Sequence, residues 1–63
     1  MRKSEAKKLH NRDEVKVRVD NGDGLKWEYG YVLGEPYEVA GRIIIPVNTP
    51  SAGWLEVDHT DVR

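Results

Sequence analysis

Residues 14–20 read EVKVRVD, and Val15, Val17 and Val19 alternate with charged residues through the whole stretch. Side chains of a β-strand point alternately to opposite faces, so this pattern predicts a strand with one face in a core and the other in water. Residues 20–24 follow as DNGDG, a composition that tolerates the left-handed backbone of a tight reversal. The stretch therefore predicts the first strand of an antiparallel hairpin.

The rest of the chain continues in short apolar runs separated by turn residues. Further strands are predicted at 26–34, 42–47, 54–57 and 62–63, with a brief edge segment at 37–39. The strand at 42–47 contains three consecutive isoleucines, which favours a central position, whereas Pro46 indicates that pairing loosens at its end. A single helical turn at 58–61, capped by Asp58, is expected before the last strand.

Five short strands with one helical turn before the last of them are typical of a small, strongly bent barrel, which removes sheet edges by closing on itself. An open meander covered by the amino-terminal segment is the alternative. We therefore expect an all-β fold, a five-stranded SH3-like barrel over residues 13–63, preceded by a flexible basic arm over residues 1–12. The arm is expected to be disordered or to form a short helix, because its apolar residues are few.

The order of these strands resembles that of Tudor, agenet and related SH3-like barrels. The resemblance lies in residues 15–19 (VKVRV), Trp27 with 30–32 (GYV), 41–47 (GRIIIPV), 55–57 (LEV) and 61–63 (DVR). It covers about residues 13–63 and concerns the fold, since one such framework supports many functions. What it implies for function is an aromatic cage for a methylated lysine or arginine, with Trp27 and Tyr29 as walls, Tyr37 and Trp54 from loops, and Glu28 or Glu35 balancing the cation.

Five aromatic residues in a chain without phenylalanine are the main candidates for a binding surface. The residues expected to contact a partner are Trp27, Tyr29, Tyr37 and Trp54. The competing interpretation is that these rings fill the core, since a chain with a single methionine and no phenylalanine has little else of that size.

The distribution of charge along the chain is uneven. Residues 1–12 carry five basic side chains against one acidic, a net charge of +4, and residues 13–63 carry five basic against ten acidic, a net charge of −5. An acidic body favours a basic protein partner, whereas the arm favours phosphate backbones. The alternative function is therefore nucleic-acid binding, and its candidate residues are Arg2, Lys3, Lys7, Lys8, Arg12, Lys16 and Arg18.

Catalysis and metal binding find little support in the sequence. His59 lies between Asp58 and Thr60, but a sequence neighbour rarely points at the imidazole as a nucleophile must. His10, His59 and an aspartate have no metal-ligand spacing, and no cofactor motif is present.

The chain has no cysteine, and no apolar run approaches the roughly 18 residues of a membrane span. The sequence therefore predicts a cytoplasmic, non-catalytic binding module for a protein partner, without cofactor, metal or membrane. Homodimerisation is a further expectation, because the isoleucines at 43–45 leave one side of their strand in need of cover.

Overall fold

The computed structural model describes residues 1–20 and 22–63, so Asn21 of the predicted hairpin loop lies outside the described residues. Within them the chain forms one antiparallel sheet of five strands, with a short helix before the sheet and a 3-10 turn after it. The elements are α1 (Lys3–Ala6), β1 (Glu14–Asp20), β2 (Leu25–Val32), β3 (Tyr37–Val39), β4 (Arg42–Thr49), β5 (Gly53–Asp58) and the 3-10 turn (His59–Asp61). The all-β class is thus confirmed, and β1 has the bounds that its alternation predicts.

Strand β4 is the centre of the sheet. It pairs with β5 along one edge, while β2 and β3 follow each other along its other edge. Tyr31 lies opposite Asn48, and Tyr37 lies opposite Ile44. The chain therefore advances six residues from Tyr31 to Tyr37, while β4 covers the same distance with four residues, from Asn48 to Ile44. Two additional residues are therefore accommodated in the bend at 33–36, and the faces of β2 and β3 stay aligned because the shift is even.

Pro46 occupies this central strand without disrupting it. Its carbonyl accepts a hydrogen bond from the backbone nitrogen of Leu33 at 2.8 Å, which shows that this side of Pro46 faces the bend at 33–36. The nitrogen of a strand residue points to the same side as its carbonyl, so the missing N–H falls where β2 has ended and β3 has not begun. The predicted loosening at Pro46 is consequently wrong, and β4 continues to Thr49.

The sheet is not closed into a barrel, which corrects the expectation of a closed SH3-like barrel. After β5 the chain enters the 3-10 turn, and Val62 and Arg63 then lie beside β1. Val62 forms an isolated bridge with Val17, and Lys16 and Arg63 exchange two backbone hydrogen bonds of 3.0 and 2.8 Å. Among the described residues, no strand pairing joins β5 to β1.

The core is built from small and branched aliphatic side chains. Its buried members are Ala6, Val15, Val17, Val19, Val32, Ile43, Ile45, Val47 and Val62. They come from β1, the end of β2, β4, the helix and the chain end. Most of them are the alternate, inward-facing residues of β1 and β4. Ile44 points the other way and is half-buried, which gives most of the isoleucine run cover within the chain.

The first twelve residues pack against the sheet, whereas the sequence favoured a frayed arm. Ala6 is 0% exposed within the core, and the partly buried Met1 and Leu9 pack beside it. The Met1 ammonium donates to the carbonyls of His59 at 3.0 Å and Val62 at 2.7 Å. A short helix that is marginal alone is stabilised by such tertiary contacts.

Replacing Ala6 by asparagine tests this packing. Asparagine would place an amide among aliphatic side chains, so we expect a loss of about 1–3 kcal/mol in the free energy of unfolding. The control is Ser4→Asn, an exposed position of the same helix, for which the change should stay within about 0.5 kcal/mol. Urea unfolding followed by circular dichroism measures both, and equal stability of the two variants would contradict the docking of α1.

Candidate functional site

The aromatic side chains of β2 lie on the outside of the sheet. Tyr29 is 59% and Tyr31 51% exposed, whereas Gly30 and Val32, which alternate with them, are buried. A β-carbon on Gly30 would lie 2.8 Å from the backbone oxygen of Asn48, so the inner side of β2 has no room for a ring at this point. The interpretation that the aromatic residues fill the core is therefore wrong for these tyrosines.

Strand pairing brings a third exposed ring to the same face. Tyr31 lies opposite Asn48, and Asn48 lies opposite Trp54, which is 60% exposed. Paired residues of neighbouring strands share a face, so Tyr31 and Trp54 lie two strands apart, roughly 10 Å, across one row. Tyr31 was not among the predicted site residues, although its period-two spacing from Trp27 and Tyr29 was a usable signal.

Cationic side chains lie beside the aromatic residues of β2. The Nζ of Lys16 is 5.2 Å from the centre of the Tyr29 ring, and the guanidinium carbon of Arg63 is 3.9 Å from that of Trp27. Both are cation–π arrangements. Arg63 is a contact that the sequence analysis missed, because only the pairing of the chain end with β1 brings it here.

Arg18 is committed to a different partner. Its Nε donates to Oδ1 of Asp61 at 3.0 Å, and its Nη2 donates to the same oxygen. Of the two predicted cations of β1, Lys16 therefore contacts a ring and Arg18 a carboxylate.

Carboxylates accompany the aromatic residues at the other end of the outer face. The Tyr37 hydroxyl donates to Glu56, and this hydrogen bond raises the pKa of Tyr37 above its usual value. Arg42 donates to Asp58 through Nε at 3.0 Å, and Thr60 also donates to Asp58. The hydrogen bond from Arg42, and then that from Thr60, holds the pKa of Asp58 well below its usual range.

The four predicted partner-binding aromatics do not surround one point. Trp27 lies opposite Arg18, in the part of β2 that does not pair with β4. Tyr37 lies opposite Ile44, near the other end of the outer face. Glu28, expected to balance a bound cation, instead accepts hydrogen bonds from the backbone nitrogen and hydroxyl of Ser51. The described arrangement therefore spreads these rings over a surface and does not assemble the cage that the resemblance implied.

The basic side chains of the first twelve residues remain on the surface. Arg2, Lys3, Lys7, Lys8 and Arg12 are all exposed. Among the described residues, the ion pairs found involve none of these five. They form a cationic surface held in place by the packing of Ala6.

His59 has a structural environment. Its side chain is largely buried, and Nδ1 lies 2.8 Å from the carbonyl oxygen of Met1. Thr60 turns its hydroxyl to Asp58. Neither contact resembles the nucleophile and base pair that acyl transfer requires.

Residues 1–20 and 22–63 contain no group of three or more histidine, aspartate and glutamate side chains that could hold a metal ion, and no helix of the length and apolarity that crossing a membrane requires. No protein-family model, curated protein or solved structure shows significant similarity to the chain.

The Asp58 cluster gives the fold a pH dependence of known sign. The pKa of Asp58 is lowered in the folded chain, so its contribution to stability is present above about pH 4 and is lost as the pH falls toward the folded pKa. Asp58→Asn should therefore be less stable than the native chain at pH 6, with the difference shrinking toward pH 2. Thermal unfolding across that range measures it.

The control for this measurement is Glu38→Gln, an exposed carboxylate on β3. It should keep the native pH dependence. If Asp58→Asn lost stability in acid as steeply as the native chain, the Arg42 and Thr60 contacts would not act as described.

Proposed function

We propose that the chain is a non-catalytic binding module for a basic protein segment. The contact would be made by the acidic aromatic surface, which we define as Leu33, Tyr37, Val39 and Trp54 with the carboxylates Glu35 and Glu56. The observation that carries the proposal is the 60% exposure of Trp54 in a domain whose described core is entirely aliphatic.

Exposed rings of this size need a reason in so small a domain. Leu33, Tyr37 and Val39 are exposed along the bend and β3. Tyr37 contacts Glu56, which lies two residues from Trp54 on β5. Grouped apolar exposure is typical of interaction surfaces, and tryptophan and tyrosine are the residues that most often supply the binding energy of an interface. This composition supports a protein partner.

The charge of this region favours a basic partner. Residues 33–58 contain four carboxylates against one arginine, a net charge of −3. That arginine, Arg42, is paired with Asp58, which leaves Glu35, Glu38 and Glu56 as the remaining acidic groups. Complementary charge speeds association and selects among partners, so a segment rich in lysine or arginine fits best.

The framework that presents this surface is, we propose, of the SH3-like kind to which Tudor domains belong. The order of elements supports it: a first hairpin, a long strand bent at 33–36, two further strands and a 3-10 turn before the chain end returns to β1. The likeness that we propose lies in the order of the elements and does not include closure of the sheet into a barrel. Function follows from the surface, because such frameworks carry many activities.

A peptide selection tests the proposed function. Random 12-residue peptides displayed on phage are selected on the immobilised chain, and we expect enrichment of lysine and arginine beside an apolar residue. Trp54→Ala should weaken a selected peptide by about 10- to 30-fold, the effect of losing an interface anchor. Fluorescence anisotropy of the labelled peptide gives the Kd.

Leu25→Ala is the matched control. Leu25 is 63% exposed but lies at the hairpin end of β2, outside the acidic aromatic surface, so its removal should leave the Kd unchanged. Peptides without basic enrichment, or equal binding to native chain and Trp54→Ala, would contradict the proposal. A homodimer abolished by Trp54→Ala in analytical ultracentrifugation would also contradict it, because the surface would then be occupied by a second copy.

A further inference from the structure

A second set of side chains on β1 and β2 combines rings with positive charge and adjoins the acidic aromatic surface, since Tyr31 shares a row with Trp54. We name it the basic aromatic column and define it as Trp27, Tyr29 and Tyr31 with Lys16 and Arg63. We propose that this column binds single-stranded nucleic acid, with bases stacked on Tyr29 and Tyr31 and phosphates held by the neighbouring cations.

The rings have the placement that base stacking requires. Trp27, Tyr29 and Tyr31 are alternate residues of one strand, so their attachment points follow one another at about 6.7 Å along the outer face. Tyr29 and Tyr31 are both more than half exposed, whereas Trp27 is half-buried beneath Arg63. Bases of an unpaired strand stack on such rings without much regard to sequence.

The cations lie where a phosphate backbone beside the stacked bases would run. Lys16 is opposite Tyr29 in the register, with its Nζ 5.2 Å from the ring centre. In the part of the chain that the structure describes, no ion pair joins Lys16 or Arg63 to a carboxylate. Arg18 is excluded from this role because Asp61 already holds it.

Arg12 lies at the end of the paired strands that carry the column. Its backbone nitrogen donates to Val32 at 2.7 Å, and that of Val32 donates to Asp13 at 2.9 Å. Together with the positive φ of Arg12, these bonds place Arg12 and Asp13 opposite Val32 in the manner of a β-bulge, so Arg12 lies near the Tyr31 end of the column. The helix cations Arg2, Lys3, Lys7 and Lys8 are exposed, but their helix packs through Ala6 on the core side of the sheet, so they lie outside the column.

The cations on the rings distinguish this surface from the acidic one. Lys16 lies over Tyr29 and Arg63 over Trp27, so a basic peptide is disfavoured here. An acidic peptide would use the cations but gain little from the rings. Glu14 lies opposite Tyr31 and repels phosphate, which makes it a position where removing charge should improve binding.

Anisotropy of fluorescein-labelled (dT)12 with the full chain at 20 and 200 mM NaCl tests the proposal. Tyr29→Ala should weaken binding roughly 5- to 100-fold through lost stacking, and Tyr29→Phe should restore it. Lys16→Gln should weaken binding and reduce the slope of log K against log salt by about 0.7, the value for one phosphate on a single strand. Glu14→Gln should tighten binding.

Tyr37→Ala is the control, since it removes a ring from the acidic aromatic surface and should leave (dT)12 binding unchanged. Circular dichroism confirms that each variant is folded. The proposal is overturned by the absence of binding at 20 mM NaCl, by a Tyr29→Ala variant that binds as the native chain does, or by inorganic polyphosphate of matched charge binding as tightly as (dT)12. A lysine-rich peptide that binds the column in place of (dT)12 would equally overturn it.

Discussion

The close approach of β2 to β4 at Gly30 is the constraint on which the surface of this protein depends. A β-carbon there would lie 2.8 Å from the backbone oxygen of Asn48 and 3.1 Å from a methyl of Thr49, so only glycine fits. With the two strands this close, the interior accepts valine and isoleucine but no ring beside Gly30. Tyr29 and Tyr31 are therefore turned outward, where they can contact other molecules.

The unclosed sheet needs cover at its ends, and the chain supplies it from both termini. Ala6 enters the core from the helix, and the Met1 ammonium holds the carbonyls that follow β5. Val62 and Arg63 return to β1, and the same return places Arg63 over Trp27. The contacts that complete the fold therefore also bring positive charge to the aromatic residues of β2.

The sequence predicted those features that one strand determines by itself. The alternation at 14–20 predicted β1, and the 3-10 turn was also predicted. The expected cap by Asp58 was wrong, because its carboxylate makes no cap hydrogen bond and instead accepts from Arg42 and Thr60. The sequence did not determine which face of β2 lies in the core, because one face carries the rings and the other carries Gly30 and Val32. The close approach of β4 at Gly30 determines that the rings lie outside. Docking of α1 depends on Ala6 with Met1 and Leu9 beside it, three residues that predict no packing without the core they contact.

Features that need strand register were out of reach of the sequence. The row that joins Tyr31 to Trp54 through Asn48 follows from the pairing of three strands. The pairing of Tyr37 with Ile44 depends on the two additional residues in the bend at 33–36. The expectation of a closed barrel was wrong because closure depends on pairing between β5 and β1, where the described residues form only the Val62 bridge. The placement of Lys16 beside Tyr29 and of Glu56 beside Tyr37 likewise appears only once the strands are ordered.

Laser photo-CIDNP NMR measures whether the rings face outward, because only side chains accessible to a dissolved dye give enhanced signals. We expect strong enhancement for Trp54, Tyr29 and Tyr31 and a weaker signal for Trp27, which lies beneath Arg63. Silent rings at Tyr29 and Tyr31, with nuclear Overhauser contacts to the methyl groups of Val17 and Ile45, would place them in the core and show that their outward orientation is wrong.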